Sequence, residues 1–541
     1  MALDDSIFVG DASIPLLQAT LGDCLRRQAR HYAEQTALIV PEQQIHWDYT
    51  TLKEQVDRLA IGLARLGVEK GDRIALWAPP CCQWLLCQLA AARLGAIIVP
   101  LSTHLEVQEL LGPLTQVGAS ILFYAPELDS TGRLLSLLPE LARQDASQPL
   151  YSRTAPRLRH LVSCHGVRPG TLAFDWLMTD TSAEEIAALD ALDLQPSDPA
   201  VVLFTSGSTQ QPRAVIHSHF GIINNARLVA MELGIDSADS ICHSLPFYHC
   251  FGLVLGPMLS LIQGATAVVP GQNSTAIADI CQRQQCSVLM AFPATVEALA
   301  AQWGQHWPAA LRLGVMVGAQ CPSAVQAQLA SGPAWVMAYG QTESGAINHL
   351  GHLVPAQGTV GRAAAHQEVK LVDSHGELVP RGVRGEVCVR SYALMQGYWP
   401  PGSSSDIDSS GWLHTGDIGV MDEHGNVEIV GRTQDIIMRD GEAISPREIE
   451  QFYQRHPQVK AIRVFGLPGE SDSQRLCAWV QATDGASLSA DSLRQFAAGQ
   501  LSQVKIPEYF HFVSQFPLTA AGKVQTYRMR EKMLQLLDDR L

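Results

Sequence analysis

Five short stretches of this chain place hydroxyls, carboxylates, glycine and single cations just where apolar runs end. Val201-Val202-Leu203-Phe204 runs into Thr205-Ser206-Gly207-Ser208-Thr209, a buried strand opening into a loop of hydroxyls and glycine. Such a loop offers backbone N–H and side-chain O–H groups to phosphate oxygens, and Arg213 follows as a charge partner. The GxxxxGK[ST] pattern is absent, so this is not a Walker loop, and a plain Ser/Gly turn has the same composition. Tyr339-Gly340-Gln341-Thr342-Glu343 also follows an apolar run. Its ring suits stacking on a base and its carboxylate suits Mg²⁺ through oxygen. In Trp412-Leu413-His414-Thr415-Gly416-Asp417 a carboxylate on a Gly turn suits the two hydroxyls of a ribose. Gly431-Arg432-Thr433-Gln434-Asp435, with Gly441-Glu442 beyond it, is the fourth stretch, and Pro517 to Gln525, carrying Gly522-Lys523, is the fifth. A lone lysine is usually a solvated charge; this one sits on a Gly turn in a mostly apolar segment.

The elements around these stretches predict a layered α/β core. Leu52, Val56, Leu59, Leu63 and Leu66 recur at helical spacing and stop at Gly67. A strand at Ile74–Trp77, a helix from Trp84 to Leu94 and a strand at Ala96–Pro100 follow, and the alternation resumes from Ala200 to about Met337. Residues 125–195 read as polar and irregular. From Val360 short strands with Gly turns (Val369–Val372, Gly385–Arg390, Asn426–Val430) predict a small β subdomain. After Arg432 a helix opening near Ile449, strands at Ala461–Gly466 and Leu476–Ala482, and a helix at Ala490–Leu501 predict a small α+β unit.

Length and composition set the outer limits. The 541 residues are 47% apolar and 17% charged, which predicts a globular chain of more than one domain. A net charge of −15 argues against broad nucleic-acid binding, but not against a local basic pocket. The twelve cysteines form no CxxC pair and read as buried free thiols, and the N-terminus lacks a signal-peptide pattern, so a cytoplasmic location is expected. Ser240–Ala278 carries no Asp, Glu, Lys or Arg; Pro246, Pro257, Pro270, His243 and His249 interrupt it, so it reads as a buried helix and strand and not a membrane span.

Taken together and in this order, the five stretches resemble the acyl- and aryl-adenylate-forming (AMP-binding) superfamily over nearly the whole chain, most closely medium-chain fatty acyl-CoA synthetases. The resemblance implies an α/β fold. A large N-terminal domain, residues 1–432, would hold layered α/β subdomains and a small β-barrel-like subdomain; a small mobile α+β domain would span 433–541. It implies ATP-dependent conversion of a carboxylic acid to acyl-AMP and then a thioester, with ATP, Mg²⁺ and CoA (or the phosphopantetheine of a carrier protein) as cofactors. Lys523, His249, Thr205 and Glu343 are the implied catalytic residues. Thr205, Ser206, Gly207, Ser208, Thr209 and Arg213 would form the phosphate loop. Gly318, Ala319, Gln320, Tyr339 and Gly340 would flank the adenine, with Gln341 and Thr342 also among the cofactor-binding residues. Glu343 would hold the metal, Asp417 and Arg432 the ribose, and Gly441 and Glu442 the pantetheine tunnel, with Gln434 at the hinge. Gln210, Arg213 and Ala214 stand where the family usually has Gly, Lys and Gly, which predicts a stiffer phosphate loop.

Pro246-Phe247-Tyr248-His249-Cys250-Phe251-Gly252-Leu253 resembles the family's acyl-pocket motif, with His249 as a gate. A substrate ammonium would need a buried acid there, and none exists between Ser240 and Ala278, so an apolar acid is expected. Ala490-Asp491-Ser492-Leu493 mimics a phosphopantetheine attachment site and reads as an ordinary helix start. The expected partners are a small carboxylic acid and either free CoA or a separate acyl carrier protein, with homodimerisation left open. Two further readings stand beside the synthetase: a ligase that loads a carrier protein, and an idle homologue that binds nucleotide or acyl ligand without turnover.

Overall fold

The computed structural model describes residues 5–538, apart from 131, 141–147, 206–211, 272–273, 305, 319–322, 354–358, 404, 440–441, 470–472, 484 and 519–523. Period-two alternation builds its two large sheets. In Arg73–Trp77, Ile74 and Leu76 face one apolar cluster and Ala75 and Trp77 another. A strand buried on both faces must be apolar throughout, which is why these segments read as continuous hydrophobic runs.

The first sheet runs, edge to edge, Gly397–Tyr398, Ala214–Ser218, Pro199–Phe204, Ile97–Pro100, Arg73–Trp77, Ile121–Tyr124, His160–Ser163 and Leu172–Ala173. The second runs Arg362–Ala363, His349–His352, Ala334–Tyr339, Leu313–Val317, Val288–Ala291, Ser240–His243, Thr266–Val268, Thr36–Val40 and Ile45–Asp48. Both are parallel at the centre and antiparallel at an edge. Their shared core is filled by helices including Tyr49–Arg65, Cys82–Leu94 and His219–Glu232. The first of these starts on Asp48, whose carboxylate accepts the Thr51 N–H at 2.7 Å, and ends before Gly67 at φ +85°.

Residues 125–195 are more regular than their polarity predicts. His160–Ser163 is a buried strand next to the sheet's edge strand, and Ala183–Asp190 is a helix with a Ser182–Glu185 capping box. The strand supplies four residues, too few for a periodicity signal among polar neighbours. Ser240–Ala278 is core, as expected: a strand, a helix broken at Gly256-Pro257, and the strand Thr266–Val268. No helix among the described residues is long and apolar enough to cross a membrane.

The third sheet, Ile7–Val9, Gln367–Val372, Arg384–Ser391, Leu413–Met421 and Val427–Arg432, is antiparallel and takes its first strand from the N-terminus, which the sequence pattern did not predict. Beyond it lie a hairpin (Ile437–Arg439 with Glu442–Ile444) and a three-stranded sheet of Val459–Pro468, Gln474–Ala482 and Tyr509–Phe512 with its own apolar cluster. Ser492 sits in the first turn of the helix Ala490–Ala497, and its hydroxyl donates to the Ser489 carbonyl, so it is an ordinary helix start.

Four buried histidines make the fold acid-sensitive. Burial lowers His217 and His219 to about 4, and His243 and His349 to about 3, from 6.5. Below pH 6.5 the unfolded chain takes up protons that the folded chain refuses until near pH 4 or 3. Stability therefore falls with falling pH across this window, by about 1.4 kcal/mol per pH unit for each group. Melting temperature should drop steadily from pH 6.5 to 4.5, and His243→Gln with His349→Gln should flatten that slope. A melting temperature constant over the window would contradict the assignment.

Candidate active site

The two large sheets deliver their chemistry-bearing residues at the carboxyl ends of strands, where open α/β sheets bind ligands. Thr205 follows Pro199–Phe204, Gly318 follows Leu313–Val317, His249 lies beyond Ser240–His243, and Tyr339 ends Ala334–Tyr339. The Thr205 N–H donates to the Arg213 carbonyl at 2.9 Å, closing the loop at its base, and its buried hydroxyl has no partner among the described residues. Gly340 is required by close approach: a Cβ there would lie 1.8 Å from the Ala346 carbonyl oxygen.

Tyr339 meets the third sheet directly. Its hydroxyl donates to Asp417 Oδ2 at 2.6 Å, and Arg432 Nε donates to Asp417 Oδ1 at 2.8 Å. Asp417 and Arg432 are cross-strand partners in the ladder of Leu413–Met421 with Val427–Arg432, so pairing register sets their contact. Asp417 is buried and holds the Arg432 guanidinium above its ordinary pKa. Each carboxylate oxygen has a lone pair left over, enough to accept two hydroxyls of a diol.

Four residues further along, Glu343 sits in the turn Thr342–Ser344. Its Oε1 lies 3.1 Å from Arg213 Nη2 and 3.3 Å from the Tyr398 hydroxyl. Arg213 Nη1 also donates to Asp406 Oδ2 at 2.6 Å. Buried His217 hydrogen-bonds through Nε2 to the Thr342 carbonyl at 2.8 Å, tying this turn to the strand Ala214–Ser218. Ala214 belongs to that strand, opposite Phe204, and is buried; it is not part of the loop as the sequence reading had it, so its side chain does not stiffen the loop.

His249 caps the short helix Cys250–Leu253, its Nδ1 accepting the Phe251 N–H at 3.3 Å, which leaves the ring proton on Nε2. The ring packs against Phe251 and edge-on to Phe292, with centroids 5.1 and 6.3 Å apart. A Cβ on Gly318, at φ +93°, would press to 3.2 Å on the same Phe292 ring. The His249 ring thus lies beside two aromatic rings, with Cys250 Sγ 3.5 Å from its Nδ1.

A profile of the AMP-binding enzyme family matches residues 25–399, and one of the AMP-binding enzyme C-terminal domain matches 448–523. The chain belongs to the AMP-binding enzyme family. The medium-chain acyl-CoA ligase ACSF2 of Rattus norvegicus is 32% identical across 98% of this chain and 90% of its own, and YngI of Bacillus subtilis is 34% identical across 97% and 98%. Among solved structures, the anthranilate CoA ligase AuaEII in complex with anthranoyl-AMP superposes with a TM-score of 0.80 at 24% identity, over 96% of this chain and 98% of that one. At that identity the likeness speaks for the fold.

In this AMP-binding enzyme the structure brings together Tyr339, Asp417 and Arg432, and separately Arg213 and Glu343, the two groups linked through the chain from Tyr339 to Glu343. Glu442 is placed in the hairpin of the C-terminal part. Ser206, Gly207, Ser208, Thr209, Ala319, Gln320, Gly441 and Lys523 lie outside the described residues. Sequence reasoning missed His217, Tyr398 and Asp406. Tyr398 is buried and reaches the site because Gly397–Tyr398 pairs with Ala214–Ser218, and no local pattern announces that pairing.

Proposed function

We propose that this AMP-binding enzyme is an acyl-CoA synthetase that activates an apolar, medium-chain-like carboxylic acid. ATP and the acid give acyl-AMP with release of pyrophosphate; CoA then displaces AMP to give the thioester. The observation that carries the reading is the carboxylate–cation couple Glu343–Arg213, four residues from the Tyr339–Asp417–Arg432 cluster at the strand ends. One group suits a polyphosphate with its metal, and the other suits a nucleoside diol. The naming of a 32%-identical relative as a medium-chain acyl-CoA ligase supports the acid class.

In this reading Asp417 accepts the ribose hydroxyls while Arg432 and Tyr339 hold its carboxylate in place. Glu343 holds Mg²⁺, which supplies positive charge against the polyphosphate when bound. Thr205 to Thr209 with Arg213 receive the phosphates, and the aromatic surroundings of His249 receive the acyl group. Lys523 offsets the repulsion between two anions, the carboxylate and the α-phosphate. Thiol attack needs no cation there, so one small domain, here residues 433–541 turning near Gln434, can serve both steps by presenting different faces. Gly441 and Glu442 line the thiol's path. The cofactor set is ATP, Mg²⁺ and CoA. The described cysteines are buried thiols, which suits a reducing compartment such as the cytoplasm.

Pyrophosphate release measured across a panel of acids, with and without CoA, tests the reading. Medium-chain acids, and to some degree aryl acids, should drive release, and CoA should yield the thioester. Free α-amino acids should be inactive, because no acid in Ser240–Ala278 can pair a buried ammonium. Robust release with an amino acid would overturn the apolar-acid assignment. Release without thioester on CoA would move the acceptor to a carrier protein. Nucleotide binding without release for any acid would mark an idle homologue.

A further inference from the structure

The groups around Arg213 over-determine its position. Besides the two carboxylates, the guanidinium lies over the Tyr398 ring, 4.5 Å from its centroid. The Tyr398 hydroxyl is 2.7 Å from Asp406 Oδ2, the same oxygen that takes Arg213 Nη1, and 3.3 Å from Glu343 Oε1, the same oxygen that faces Arg213 Nη2. Four side chains therefore close a ring drawn from separate elements: Arg213 beside the strand Ala214–Ser218, Tyr398 on its partner strand, Glu343 on the turn after Ala334–Tyr339, and Asp406 on the connection to Leu413–Met421. An exposed ion pair alone is worth little. Here the aromatic ring is buried, one hydroxyl bridges both acids, and among the described residues a single cation, Arg213, serves the two carboxylates.

That count of charges has a consequence for a metal on Glu343. Arg213 and a divalent cation on one carboxylate repel each other, and with Glu343 alone each would have to exclude the other. Asp406 adds the second negative charge that lets both stay.

We propose that Asp406, with Tyr398, is a positioning residue for Mg²⁺–ATP: it anchors Arg213 beside Glu343 without letting the guanidinium occupy the whole metal-binding carboxylate. The inference rests on the reading of Glu343 as the metal ligand. Asp406 touches neither nucleotide nor acid; it acts through Arg213. With its charge removed, Arg213 leans on Glu343 alone and competes harder with the metal. With Arg213 removed, Glu343 is released to the metal while the phosphates lose a partner.

Calorimetric titration of ATP over a series of free Mg²⁺ concentrations tests this without knowledge of the acid. Asp406→Asn should raise the Mg²⁺ concentration for half-maximal ATP binding about fivefold, Tyr398→Phe less but in the same direction, and Asp406→Glu should restore it. Arg213→Gln should shift it the opposite way and weaken ATP binding at saturating Mg²⁺. In the Arg213→Gln background Asp406→Asn should have no further effect, a non-additivity that a purely structural role does not produce. An Mg²⁺ requirement unchanged in both Asp406→Asn and Tyr398→Phe, with melting temperatures confirming folded protein, overturns the proposal; so does an Asp406→Asn effect that persists without Arg213. Failure of the wild type to bind ATP at all would instead overturn the nucleotide-site reading. ATP binding without pyrophosphate release leaves the positioning role testable while refuting the synthetase.

Discussion

Lys523→Ala should lower acyl-AMP formation on the order of 10²–10³-fold and leave the conversion of supplied acyl-AMP to thioester nearly intact. Two anions must meet for adenylation, and in the proposed function the lysine is the cation that offsets their repulsion; attack by a thiol on an acyl-adenylate creates no such repulsion. The chain on either side of this lysine is pinned: Leu518 bridges Val524, and the Gln525 N–H donates to the Pro517 carbonyl at 2.8 Å. Both of these are backbone contacts between described residues, so a side-chain substitution at position 523 does not delete them. Pyrophosphate exchange reads the first half-reaction, and thioester formed from synthetic acyl-AMP reads the second. Equal loss of both would show that Lys523 serves the domain's integrity and not the adenylation step.

Asp417→Ala should be the most damaging change among the described site residues. It strips two donors of their acceptor at once, the Arg432 guanidinium and the Tyr339 hydroxyl. Burial, with Asp417 beside it, already pushes the Tyr339 phenol well above its ordinary pKa, so that hydroxyl stays a donor and would lose its carboxylate acceptor. Arg432 is half-exposed and recovers water, which limits the stability cost to about 1–3 kcal/mol. ATP affinity should fall by about 10²-fold, since the diol loses its acceptor and Arg432 its orientation. Asp417→Asn keeps the shape and one acceptor oxygen and should fall between. Melting curves and ATP titrations on the same samples separate the two costs. Unchanged ATP affinity in folded Asp417→Ala would remove Asp417 from the nucleotide site.

The expectations that succeeded rest on strong local periodicity. Tyr49–Arg65 carries an apolar stripe with Asp48 at one end and Gly67 at the other, and Arg73–Trp77 is a short apolar run bounded by polar turns. Those signals need nothing from the rest of the chain. His160–Ser163 and Ile7–Val9 failed for the opposite reason: each is three or four residues long and becomes a strand only because a distant partner offers its edge. Ala214 was misplaced because the limit between loop and strand depends on the Ala214–Phe204 register, not on the residue type.

At the site, the chain itself determines which chemical groups are present: the hydroxyl loop after Phe204, the carboxylates Glu343 and Asp417, the cations Arg213, Arg432 and Lys523, and a charge-free stretch around His249. Their order along the chain was enough for the resemblance to an adenylate-forming family. Tertiary structure alone decided which of these groups meet. Asp417 finds Arg432 through antiparallel register and Tyr339 through contact between two sheets, and Arg213 finds Asp406 across 193 residues. Cys242 likewise joins the neighbouring pair Cys281 and Cys286 in one buried cluster. The reason is physical: periodicity and capping are local free energies, readable within a few turns, whereas a charge pair forms only where the burial of distant apolar faces has already brought the backbones together.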